Sequence, residues 1–157
     1  MDEITTALFS ASRQGNVPVL KAIFEREINL DVQDEKGYTP LIIACYNGQL
    51  EAARVLLEAG VNVNAADVGG NTALMGVCFK GYPEIARLLL SHGANINAQH
   101  GNGGTALMFA ALFGRNDLLR ILLEHGADKG IQDFRGQTAL DIAFQQNNLE
   151  GAQLLEA

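Results

Sequence analysis

A short phrase of threonine, then alanine or proline, then leucine returns at a fixed interval along the chain. It stands at Thr6-Ala7-Leu8, Thr39-Pro40-Leu41, Thr72-Ala73-Leu74, Thr105-Ala106-Leu107 and Thr138-Ala139-Leu140, each 33 residues after the last (39 − 6 = 33). The glycines keep step: Gly37, Gly70, Gly103 and Gly136 lie two residues before a threonine, and Gly15, Gly48, Gly81 and Gly114 nine after one. A fixed period of this length marks a stack of similar units, each too small to bury its own apolar face and each sharing a core with its neighbours. The stack is one elongated body with a repeated surface, a form suited to holding a partner.

Within one period the residues read as helix, turn, helix and projecting hairpin. In the second unit a helix is predicted from Pro40, where proline is harmless at the first helical position, through Ile43, Ala44 and Cys45 to a stop at Asn47-Gly48. A second helix runs from Leu50 to about Ala59, with Leu50, Ala53, Leu56 and Leu57 at amphipathic spacing. Gly60 ends it in the left-handed cap, and residues 61–71 are dense in turn formers. The third unit repeats this with Pro83 opening its outer helix and Leu88-Leu89-Leu90 facing inward, the fourth with Leu118-Leu119 and Ile121-Leu122-Leu123 before Gly126.

Charge narrows the partners. Net charge is −7, which argues against nucleic acid, whose phosphates call for clustered Lys and Arg. By unit the charges are −2, −2, 0, 0 and −3, so the acid lies at the ends and the middle is a neutral platform. No apolar run approaches the roughly 20 residues that span a bilayer, and Met1-Asp2-Glu3-Ile4 carries no secretory pattern. A cytoplasmic, monomeric protein is expected, or a periplasmic or secreted one if a leader has been removed.

In Asp34-x-x-Gly37-x-Thr39-Pro40-Leu41, Leu56-Leu57-x-x-Gly60, Gly93-Ala94-Asn95-Ile96-Asn97 and Gly126-Ala127-Asp128 the chain resembles the ankyrin repeat. The likeness covers nearly the whole chain as one domain, 1–157, of about five units: 1–33, 34–66, 67–99, 100–132 and a shortened 133–157. It implies an all-α solenoid of antiparallel helix pairs with hairpin fingers on one side, of the stand-alone, bacterial type. It also implies a non-catalytic module that binds another protein through its concave face, as adaptor or inhibitor. The rival is a structural or regulatory spacer cut from a larger protein; the initiator at Met1 and the polar caps at both ends favour a complete small protein.

Three departures from the family pattern carry expectations. Where family units place a histidine after the threonine phrase, this chain has Ile42, Met75, Met108 and Asp141, so apolar packing should replace a hydrogen bond in the first three. His100 stands where Asp34, Asp67 and Asp133 open the other fingers, and the finger Gly101-Asn102-Gly103-Gly104 should be looser. The first unit, with Glu27 in place of a helix-ending glycine, and the last, with Gln145-Gln146-Asn147-Asn148, read as end caps with a polar outer face.

Little here suggests chemistry. Cys45 and Cys78 are one period apart on neighbouring inner helices; packed helices sit about 8–10 Å apart, too far for a disulfide's limit of about 7 Å between Cα atoms. They read as buried thiols in a reducing compartment. His92 and His125 each precede a helix-ending glycine, where a cap is favoured over a shared metal; Met75 and Met108 read as core filling. Glu25 and Glu27 read as solvated charge, and no phosphate-binding loop is present. No cofactor is expected.

What remains is surface. By the family analogy the concave face takes fingertip residues and the last two residues of each inner helix. The expected partner-binding set is Tyr38, Tyr46, Asn47, Asn71, Phe79, Lys80, Leu112, Phe113, Phe134 and Arg135. Aromatics are the residues most enriched at binding hot spots, and Tyr46, Phe79 and Phe113 should form a stripe across the groove of units two to four.

Overall fold

The computed structural model describes residues 1–157 as ten helices. They are α1 (Glu3–Gln14), α2 (Val17–Phe24), α3 (Pro40–Tyr46), α4 (Leu50–Glu58), α5 (Ala73–Lys80), α6 (Pro83–Ser91), α7 (Ala106–Leu112), α8 (Asn116–Glu124), α9 (Ala139–Gln145) and α10 (Leu149–Glu156). Odd-numbered helices pack on one another in an inner row, even-numbered ones in an outer row, and each pair packs within its unit. The only sheet-like pairing is an isolated bridge between Ala66 and Thr72.

The recurring threonine has a local cause. The hydroxyls of Thr39, Thr72, Thr105 and Thr138 accept the N–H of Ile42, Met75, Met108 and Asp141 at 3.1, 3.4, 3.3 and 3.3 Å. Each caps an inner helix, a contact that contributes about 1 kcal/mol. The first unit departs from the pattern. There α1 starts a turn earlier with Asp2 as its cap, and Thr6 lies inside the helix, its hydroxyl donating to the Asp2 carbonyl.

Burial follows the period. A cluster of 37 buried residues runs through all five units, built on Leu8, Leu41, Leu74 and Leu107 inside and Leu20, Leu56, Leu89 and Leu122 outside. Leu90 and Leu123 are only half-buried, contrary to the reading that placed all three consecutive residues inward. At 3.6 residues per turn a third neighbour in sequence has rotated away from the core. Ile42, Met75 and Met108 are buried as expected of apolar filling, and Asp141 instead closes a capping box with Thr138.

Each finger closes on an acceptor at its first residue. Asp34 Oδ1 accepts the N–H groups of Lys36 and Tyr38 at 2.9 and 3.0 Å, Asp67 those of Gly69 and Asn71 at 2.9 Å, and Asp133 those of Arg135 and Gln137 at 2.9 and 3.0 Å. His100 does the same with its ring: Nδ1 accepts the N–H of Asn102 and of Gly104, both at 3.1 Å. The expected looseness of this finger is therefore corrected. The turn needs a lone pair in the right place, and neutral imidazole supplies one.

Neighbouring fingers are tied by one backbone bond per step: Val68 N–H to Lys36 O, Gly101 N–H to Gly69 O, and Phe134 N–H to Asn102 O, at 3.0, 2.9 and 3.0 Å. This close approach explains Gly37. Its φ is +80°, and a Cβ there would stand 2.7 Å from the Val68 nitrogen.

Candidate functional site

The inner helices end in one line, and their last residues form the floor of a groove walled by the fingers. Tyr46 ends α3, Phe79 lies one period on near the end of α5, and Phe113 caps α7. The rings touch in sequence. Tyr46 and Phe79 stack with centroids 6.1 Å apart, and Phe79 meets Phe113 edge-on at 4.8 Å. Phe113 stacks on Phe109 at 6.4 Å, and Phe109 meets the His100 ring edge-on at 5.2 Å. Such pairs are worth about 0.5–1.5 kcal/mol each beyond their buried area. The row is held partly by itself, yet Tyr46 and Phe113 stay 42% and 41% exposed.

The stripe expected of Tyr46, Phe79 and Phe113 is thus a continuous row, with two members the sequence reading missed. Phe109 occupies the position that holds Ile43, Gly76 and Ile142 in other units, one turn before the helix-end residues the family analogy singles out. Gly76 bears on the row as well, since a Cβ there would meet the Tyr46 ring at 3.3 Å. His100, which opens the fourth finger, is also the end of the row. The step from Phe79 to Phe113 slips by one residue, leaving Leu112 exposed beside it.

A hollow of about 460 Å³ opens along the row between Tyr38, Tyr46, Phe79 and Phe113, with Arg13 of the first unit at one end. A second, of about 320 Å³, lies between His100, Phe109, Leu112, Phe134 and Arg135. Volumes in the range of about 300–1,000 Å³ are those of ligand-holding clefts. Phe134, 79% exposed, forms the lip of the second hollow away from the ring contacts.

The polar neighbours differ in what they can offer. Lys80 Nζ lies 5.0 Å from the Tyr46 ring centroid, a cation over a π face. Asn47 gives its amide to Ile43 O at 2.8 Å, keeping its own side-chain oxygen free to accept. Asn71 lines the first hollow, with its amide held by both oxygens of Asp67 at 3.2 and 3.3 Å. Arg115 braces the row from below, donating through Nε and Nη2 to Phe79 O at 3.3 and 3.2 Å.

The reactive side chains lie elsewhere. Cys45 and Cys78 are free thiols in the core, and burial pushes both well above the ordinary thiol value. That is the opposite of an activated nucleophile. His92 and His125 cap outer helices, with His125 Nδ1 at 2.7 Å from Ile121 O. No three His, Cys, Asp or Glu side chains converge as metal ligands, and no helix is long and apolar enough to cross a membrane.

No curated protein matches the chain significantly. The family profile described as ankyrin repeats (3 copies) matches it over residues 8–100 and again over 74–156, which together run from within α1 to the end of α10. With the period, the capped inner helices and the fingers now in place, the chain belongs to the ankyrin-repeat family.

Proposed function

We propose that this protein is a non-catalytic adaptor or inhibitor that grips a protein partner on its concave face, over units two to four, in keeping with the general role of ankyrin repeats as protein–protein interaction modules. One observation carries the reading: the row Tyr46–Phe79–Phe113–Phe109, kept in contact but left partly open to water. Apolar surface gathered into one groove is seldom retained without use. A spacer would have no need of it. Tyr38, Asn47, Lys80, Leu112, Phe134 and Arg135 form the rim of the contact, which a typical interface keeps polar and wet. The free, buried Cys45 and Cys78 fit a monomer working in a reducing, cytoplasmic compartment.

Site-directed photocrosslinking in the source cell tests this. A photoreactive residue at Asn47 should capture a protein that the same residue at Arg87, on the outer face, does not. Phe79→Ala should abolish the Asn47 crosslink. Equal capture from both faces, or a crosslink indifferent to Phe79, would sink the proposal.

A further inference from the structure

The charge of this protein is not spread evenly between its two faces, and the difference points to what the groove takes. Arg13, Lys36, Lys80 and Arg135 all lie exposed along the groove or at its fingertips. None of them is in a salt bridge: the two ion pairs of the molecule, Arg54–Glu51 and Arg120–Glu150, are on the outer helices. The carboxylates on the groove side are differently placed. Asp34, Asp67 and Asp133 each hold two backbone N–H groups of their own turn, and Asp141 holds the Thr138 N–H at 2.9 Å. In the fourth finger His100 replaces the acid altogether. Among fingers two to five, Glu35 alone presents a carboxylate with no such engagement. A chain of net charge −7 thus carries four unpaired cations on its groove side. The carboxylates there, Glu35 apart, are tied to their own turns, Asp67 and Asp133 lining the two hollows, while the excess of its acid lies outward.

The proposal rests on the concave-face reading above. We propose that the groove's occupant is an acidic–apolar protein segment: a bulky apolar side chain set against Tyr46, Phe79 and Phe113, with Asp or Glu on either side. The geometry places the charges where such a segment needs them. Lys80 sits over the Tyr46 ring, and Arg13 lines the hollow that the same ring borders. Arg135 stands beside the second hollow. Each guanidinium can take a carboxylate through two parallel bonds, and complementary charge at a rim sets specificity and association rate. A row of rings with nearby cations would also suit single-stranded nucleic acid. A polyphosphate, however, extends beyond a few local cations and meets the field of the acidic outer surface, which a short acidic segment avoids.

The test is selection of a random linear peptide library on the whole chain, residues 1–157. Binding of the recovered peptides is then measured on the wild type, Phe79→Ala, Lys80→Glu and Arg13→Glu, at low and high salt. The expected pool is enriched in Asp and Glu around Phe, Leu or Trp. Its affinity should fall about tenfold or more with Phe79→Ala and with either charge reversal, and should weaken as salt rises. Selection on Lys80→Glu should shift the pool toward Lys and Arg. Peptides that need Phe79 but show no acidic preference would overturn this proposal and leave the concave-face reading standing. Peptides indifferent to Phe79 would overturn both. An empty selection, or fluorescent oligothymidylate binding as tightly as the best peptide, would overturn the proposal of an acidic protein segment.

Discussion

Replacing Gly37 with alanine should destabilise the protein far more than replacing Gly60, although both glycines have φ in the left-handed region, +80° and +92°. A residue with a Cβ forced into that region costs roughly 1–2 kcal/mol. Loss of glycine's freedom in the unfolded chain returns about 0.4–1 kcal/mol. At Gly60 nothing lies within 4 Å of the added carbon, so the balance, about 0.5–1 kcal/mol, is the whole effect. At Gly37 the carbon would stand 2.7 Å from Val68 N and 3.0 Å from Asp67 C and Cα, all backbone. The next finger must move, which parts Val68 N–H from Lys36 O, a net loss of about 0.5–1.5 kcal/mol. Crowding adds a further 1–3 kcal/mol or so. Gly37→Ala should therefore cost about 2–5 kcal/mol. Both residues belong to the second unit, so the couplings to neighbouring units are shared. Urea unfolding followed by circular dichroism measures the two side by side. If they agree within about 0.5 kcal/mol, the fingers are not packed as described.

Four further outcomes are expected. Leu89→Ala, at a fully buried position, should cost about 2–5 kcal/mol in the same assay, and a loss under about 0.5 kcal/mol would show the register to be wrong. His100→Asp should keep stability within about 0.5 kcal/mol of wild type, whereas His100→Ala, which leaves two turn N–H groups without an acceptor, should lose about 1–3 kcal/mol. The folded state keeps the Cys45 and Cys78 protons above the ordinary thiol value of 9.0, while the unfolded chain releases them. Stability should then fall with rising pH above that value, by about 1 kcal/mol per thiol per unit, more steeply than in a Cys45→Ala, Cys78→Ala double variant. Asn147 is the one non-glycine residue with positive φ, at 55°, so Asn147→Gly should be neutral or stabilise by up to about 1 kcal/mol in thermal unfolding.

The fold was legible because its causes are local and repeated. Thr39 and its equivalents cap a helix by a contact three residues away, and a period of such contacts shows in one dimension. What was not legible lies between units. His100 looked like a defect in sequence, because residue type suggests charge whereas the turn asks only for a lone pair. Nothing in sequence tells that the side chain of Asp67 holds the Asn71 amide. Phe109 escaped because it stands one turn before the helix-end residues, at the position that other units fill with Ile43, Gly76 and Ile142. The membership of Tyr46, Phe79 and Phe113 in one row could be read from the period; the ring-to-ring angles and the one-residue slip at Phe113 depend on packing that the period does not record.

The substitution of imidazole for carboxylate at the head of the fourth finger bears on how such a groove can change over generations. If the turn accepts either group, its shape and its charge are inherited separately. A single exchange at position 34, 67, 100 or 133 can add or delete a negative charge beside the groove while the finger stays folded. Selection can then retune attraction and repulsion toward a new partner without first crossing a valley of unfolded intermediates. The scaffold holds still while its electrostatics drift.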